Sequence, residues 1–186
     1  MTVVKDNTMT TGMSGMFGKQ MVFRQRDGRT IVAKKPRRTR AGTPGQAAHK
    51  QRFLKAVEYA RQALANPELR EMYSHAAVTG ASAYNMAVAD AMTAPVVEHI
   101  DAQGYTSASG GIIAVTVFKK FRLRSMVVRI TLADGTLLEK GEAVQMNGGR
   151  VWHYTATEAN PSLSGSQVTA IATDLPGNTA ELSVTL

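Results

Sequence analysis

The chain has 186 residues, room for one ordinary domain or two small ones. Apolar residues make up 44% and charged residues 19%, a globular composition and not a disordered one. Cysteine is absent, which excludes disulfides, thiolate metal sites, iron–sulfur clusters and cysteine nucleophiles. The net charge of +8 is unevenly placed: positions 1–75 hold 15 Lys/Arg against 5 Asp/Glu, and positions 76–186 hold 7 against 9. The split suggests two units with different partners, and its densest run is Lys34-Lys35-Pro36-Arg37-Arg38-Thr39-Arg40.

Residues 1–18 read as a flexible Gly/Met-rich arm, with Gly12, Gly15 and Gly18 among Met13, Met16 and Phe17. No apolar leader is present here, and the longest aliphatic stretch, Ile112-Ile113-Ala114-Val115, is far short of the ~20 residues a membrane helix needs. The expectation is a soluble protein of cytoplasmic origin, with no cleavable signal or membrane span, that could also belong to an exported or viral-type particle.

Residues 19–35 predict a β-hairpin. Met21–Arg24 and Thr30–Ala33 are β-prone, and Arg26-Asp27-Gly28 supplies the turn. Two strands alone are marginal in water, so this hairpin must pack on the following helices or pair with a partner edge. A Pro/Gly/Arg-rich linker follows. Thr43-Pro44 then opens a helix to about Ala65, with Phe53, Val57, Ala60 and Leu64 as its expected apolar stripe. Asn66-Pro67-Glu68 starts a second helix, buried through Leu69, Met72, Tyr73 and Ala76 and ended by Thr79-Gly80. A third begins at Ser82 and carries Tyr84, Val88 and Ala91 before Pro95 stops it.

Beyond Pro95 the apolar period changes to two. Candidate strands are 96–100, 112–118, 125–132, 136–139, 142–146, 150–157, 166–173 and 180–186. Val128 and Ile130 alternate with Val127 and Arg129, and Trp152 and Tyr154 with His153 and Thr155. Seven or eight short strands with one central tryptophan describe a β-sandwich. The expected fold is α+β in two domains: the arm 1–18, a basic hairpin-helix docking module 19–94, and a sandwich 95–186.

Ala172-Thr173-Asp174-Leu175-Pro176-Gly177-Asn178 before a last strand, with Val151-Trp152-His153-Tyr154-Thr155-Ala156, resembles bacterial immunoglobulin-like domains. Ahead of it, Phe17–Arg24, Gly28–Pro36 and Ser82-Ala83-Tyr84-Asn85 resemble a family of uncharacterised bacterial proteins that join a basic hairpin-helix module to an immunoglobulin-like tail. The resemblance implies this two-domain architecture and no established activity.

Enzyme motifs are missing. Gly18-Lys19-Gln20 is no phosphate loop, because Met13 stands where the first glycine should be and Gln20 replaces the Ser/Thr that holds magnesium. No G-x-S-x-G or H-E-x-x-H occurs. His49, His75, His99 and His153 fall on separate elements without ligand spacing, and His153 is expected to be exposed. Asp90 reads as isolated, Glu139 and Glu142 as strand-end charges, and Asp174 with Asn178 as shapers of the last turn. Lys119 and Lys120, in the loop after the second strand of the sandwich, would repel a calcium ion. The expectation is therefore no enzyme, no cofactor, no metal and no small-molecule substrate.

The basic segment is the strongest signal. Lys34, Lys35, Arg37, Arg38 and Arg40, extended by Arg24, Arg26 and Arg29 near the hairpin tip, form a candidate surface for nucleic-acid phosphates or an acidic partner. The segment lacks aromatic residues for base stacking and matches no sequence-reading motif. Two readings follow. The first is a non-enzymatic structural or interaction protein that docks on a protein partner or on itself, as in a phage-like or injection-type particle, and displays the sandwich. The second is a non-specific nucleic-acid-binding protein that uses segment 24–61.

Overall fold

The computed structural model describes residues 2–4, 7–26, 28–35, 42–78, 81–146 and 149–186. The fold is α+β, with three helices and three antiparallel sheets. The chain divides into two compact units, Met1–His49 and Lys50–Leu186. The boundary falls inside the first helical segment, so that most of the helical residues group with the later sheets.

The first unit is a four-stranded sheet. Strands β3 (Met21–Arg26) and β4 (Arg29–Lys34) form the expected hairpin, with Arg26 opposite Arg29. Gly28 takes φ 73° between them, a conformation open to glycine without a Cβ clash. The arm is not merely a tail: β1 (Thr2–Val4) pairs with β4, and β2 (Gly15–Phe17) pairs with β3, giving the order β1-β4-β3-β2. The reason is that the hairpin's two edges carry unpaired backbone groups, which short neighbouring segments of the same chain can satisfy. Thr30 is the one buried residue among those described in this unit. Its hydroxyl accepts from Gln25 Nε2 at 2.8 Å and from the Gly12 amide at 3.3 Å.

Helix α1 (Pro44–Ala65) opens on a reciprocal cap. The Gln46 amide donates to Thr43 Oγ1 and the Thr43 amide to Gln46 Oε1. In the second unit its buried face is Ala56, Ala60 and Ala63, spaced four and three apart. The expected stripe through Phe53 is displaced, and Phe53 is 46% exposed. Small alanines let the helix backbone approach its neighbours closely, which a phenylalanine on that face would prevent. Helix α2 (Pro67–His75) is capped by Asn66 as expected, but ends at Ala76. Thr79 and Gly80, the expected terminator, lie outside the described residues. Helix α3 (Ala83–Met92) is capped by Ser82 and buries Ala87 and Asp90, while Tyr84, Val88 and Ala91 are half-buried. Ala60, Ala63, Tyr73 and Ala87 form the helical core, with Phe121 against Tyr73 edge-to-face at 5.1 Å.

Eight strands follow. The sheet β5-β6-β10-β9 comprises β5 (Val96–Asp101), β6 (Ile112–Phe118), β10 (Val151–Thr155) and β9 (Val144–Gln145). The sheet β12-β11-β7-β8 comprises β12 (Thr179–Thr185), β11 (Gln167–Asp174), β7 (Leu123–Thr131) and β8 (Leu137–Glu142). Alternate residues point inward, as the period of two requires. Ile113, Val115, Trp152 and Tyr154 from the first sheet meet Met126, Val128, Ile130 and Val168 from the second in one continuous apolar cluster.

Candidate functional site

The basic positions fall into separate groups. Arg24 and Arg26 lie two apart on β3, and Arg29 is opposite Arg26, so all three project from one sheet face. All three are exposed. Lys34, opposite Met21, lies on the other face, and Lys35 follows the strand; both are exposed. Arg37, Arg38 and Arg40 lie outside the described residues. The structure thus brings together Arg24, Arg26 and Arg29, and separates Lys34 from them.

Apolar groups crowd the same sheet. Val3, Met13, Met16, Phe17 and Met21 are each at least 40% exposed. By register, Phe17 and Met21 share a face with Lys34, while Val3 and Met16 share the face of the arginines. A sheet of this size with apolar residues on both faces and almost nothing buried has no core of its own.

The main polar cluster is in the second unit, where the sequence offered no local signal. Asp90 is not isolated. Lys119 Nζ lies 2.8 Å from Asp90 Oδ1 and 2.6 Å from Asp174 Oδ2, with all three side chains at most 3% exposed. The same ammonium donates to the carbonyls of Asp90 and Thr93. Tyr73 Oη donates to Asp90 Oδ2 at 2.6 Å, so its own acceptor role at 2.9 Å is filled by the Tyr59 hydroxyl. Asp174 accepts the Asn178 amide at 2.6 Å and Asn178 Nδ2 at 2.9 Å, the turn-shaping role read from the sequence.

These contacts all gather at the C-terminal end of α3. Its last carbonyls carry partial negative charge, and two of them are met locally, Asp90 O by the Thr93 amide and Ala89 O by the Thr93 hydroxyl. Lys119 takes two, Arg52 Nη2 takes Met92 O at 3.3 Å, and Asn178 Nδ2 takes Ala91 O at 3.2 Å. Burial raises the Asp90 pKa, against the opposing pull of Lys119 and Tyr73. Burial likewise raises both tyrosines, Tyr73 also through its bond to Asp90. The arrangement clasps α3 to the β6–β7 loop and the β11–β12 turn. Beside it an open cleft of about 260 Å³ is lined by Arg52, Lys55, Tyr59 and Asn178, and an apolar hollow of about 170 Å³ by Val96, Phe118, Phe121 and neighbours.

Glu139 is likewise more than a strand-end charge. It is 7% exposed, and its Oε2 accepts from Tyr154 Oη, Thr157 N and Oγ1, and Glu158 N at 2.8–3.3 Å. Burial alone would raise its pKa, but these donors outweigh it and the net shift is downward. Burial and the bond to Glu139 push Tyr154 up to about 12. His153 is half-buried on the outer face of its sheet, not fully exposed. Among the described residues, no group of three His, Cys, Asp or Glu side chains could hold a metal ion, and no helix is long and apolar enough to cross a membrane.

No family model matches the chain, and the comparison with curated proteins gives no match. Solved structures give distant likenesses. One engineered protein is 19% identical over 55% of this chain and 25% of its own, with a TM-score of 0.37. The S-layer protein rSbsC is 16% identical over 75% of this chain and 23% of its own, with a TM-score of 0.35. An endonuclease/exonuclease/phosphatase from Beutenbergia cavernae is 20% identical over 40% of this chain and 20% of its own, with a TM-score of 0.26. The chain therefore spans about a quarter or less of each neighbour.

Proposed function

We propose that this chain is a non-enzymatic structural protein that assembles with further copies of itself through its N-terminal unit and displays an immunoglobulin-like sandwich over residues 95–186. One observation carries the reading. The sheet of Met1–His49 leaves Val3, Met13, Met16, Phe17 and Met21 exposed and buries only Thr30 among its described residues. Apolar groups arranged this way are stabilised when another surface covers them, and flexible methionines adapt to such contacts. The strand orders β5-β6-β10-β9 and β12-β11-β7-β8 support the immunoglobulin-like part, since two antiparallel sheets of that connectivity sharing a core follow its pattern. The polar clusters support a non-catalytic reading, because Lys119, Asp174 and Glu139 Oε2 are engaged in holding a helix end and loops.

Light scattering across a concentration series tests this. The native chain should gain mass with concentration, and the Met16→Ser/Phe17→Ser variant should not. A constant monomer mass for the native chain at high concentration contradicts the reading.

The shared face of Arg24, Arg26 and Arg29 favours the second reading, non-specific binding of nucleic-acid phosphates. It requires DNA or RNA affinity that falls steeply with salt and is lost when Arg24, Arg29, Lys34 and Lys35 are changed to Ser. Absence of binding at low salt removes it.

A further inference from the structure

The outer face of the β5-β6-β10-β9 sheet is unlike the outer face of its companion. Val96, Ile112, Phe118, Val144 and Met146 are 41–68% exposed. By register Val96 opposes Phe118 at one end of the face, Ile112 lies on the same side at the other end of β6, and Val144 shares a row with His153, Ala114 and Asp101, with His99 and Thr116 in the row between. On the companion sheet the cross-strand row Lys140, Arg129, Thr169 and Ser183 is polar, and in the next row Val127 and Ile171 are half-buried between Glu142 and Glu181. An antiparallel sheet that faces only water ordinarily presents polar residues there.

We propose that this apolar face is a second self-association surface, on which another copy of the chain packs sheet face to sheet face. Charge favours a second copy over a strongly charged partner. The rim carries both signs, with Arg150 positioned 5.1 Å over the Phe118 ring and 3.9 Å from Glu98. A rim of mixed sign complements itself across a two-fold axis, whereas a uniformly charged partner meets like charge at one corner. The apolar hollow of about 170 Å³ beside Val96 and Phe118 offers a socket for a side chain of the facing copy. The edges are poor alternatives: β9 has two residues, and β5 lies against β12. This surface is separate from the N-terminal sheet, so a chain with both could extend into an array.

The cysteine-free sequence permits a clean test. His153→Cys or Val144→Cys places one thiol on this face of the full chain, and Glu181→Cys places one on the companion sheet. A short bis-maleimide should trap dimers of the two former proteins and leave the latter monomeric. Adding Phe118→Ser should abolish trapping of the Val144→Cys protein, with its melting curve confirming that it is folded. Adding Met16→Ser/Phe17→Ser instead should leave trapping intact, which separates this surface from the N-terminal one. Equal yields from both sheets, no dimer at any concentration, trapping that survives Phe118→Ser, or trapping lost with the N-terminal change would each overturn the proposal.

Discussion

Lys119 and Asp174 meet at 2.6 Å with their side chains 3% and 0% exposed, and Asp90 closes on the same ammonium from α3. One cation between two buried carboxylates joins a helix to the ends of two strands. Lys119→Met would leave both carboxylates without a counter-charge, which costs about 3–5 kcal/mol for a buried pair broken on one side. Asp90→Asn keeps an acceptor for Tyr73 and leaves Lys119 paired with Asp174, so its loss should be smaller. Urea unfolding of the two variants should rank them in that order, and equal losses would contradict a charge-based role.

The same cluster sets a pH dependence. Burial raises the Asp90 pKa, so the folded state binds that proton more readily than the unfolded chain. The deficit of the Asp90→Asn protein relative to the native chain should therefore shrink as pH rises through the raised value and widen on acidification. Melting temperatures measured in parallel across the acid range check the sign.

Glu139 should behave oppositely. Its pKa is lowered by four hydrogen bonds that outweigh burial, so it contributes stability above the ordinary glutamate range near ~4.3 and loses it as pH falls through the lower folded value. Glu139→Gln should be destabilised at neutral pH and converge with the native protein in acid. A pH-independent difference would show that the hydrogen bonds do not distinguish carboxylate from amide.

Gly141 pins the neighbouring ring. A Cβ there would lie 2.7 Å from Tyr154 Cε2, and Tyr154 is held in place by Glu139. Gly141→Ala should cost about 1–3 kcal/mol by overpacking. The paired variant Gly141→Ala/Tyr154→Phe should remain destabilised, because the clash is with the ring and not the hydroxyl.

Much of the fold can be read along the chain because its signals are local. Thr43-Pro44-Gly45-Gln46 marks the start of α1, Asn66-Pro67 that of α2, and the alternation through Trp152 and Tyr154 gives β10 and its inward face. What escapes is long-range. The strands β1 and β2 contain little that predicts them until the hairpin edges are there to pair with. Asp90 meets Lys119 across 29 positions, and neither residue's neighbours announce it. The alanine face of α1 is hidden by the larger Phe53, whose hydrophobicity suggests burial where close helix packing demands small residues. The basic surface is half legible: the sequence puts Arg24, Arg26 and Arg29 near the hairpin tip, but only the register shows that they share a face and that Lys34 lies on the other.

Hydrogen exchange of the full chain at low and high concentration tests the central claim most directly. If copies cover the N-terminal sheet, backbone amides of Gly15–Phe17 and Met21–Lys34 should exchange more slowly when concentrated, and the Met16→Ser/Phe17→Ser protein should show no such change. Exchange in these strands that is fast and identical at both concentrations would contradict assembly through that sheet.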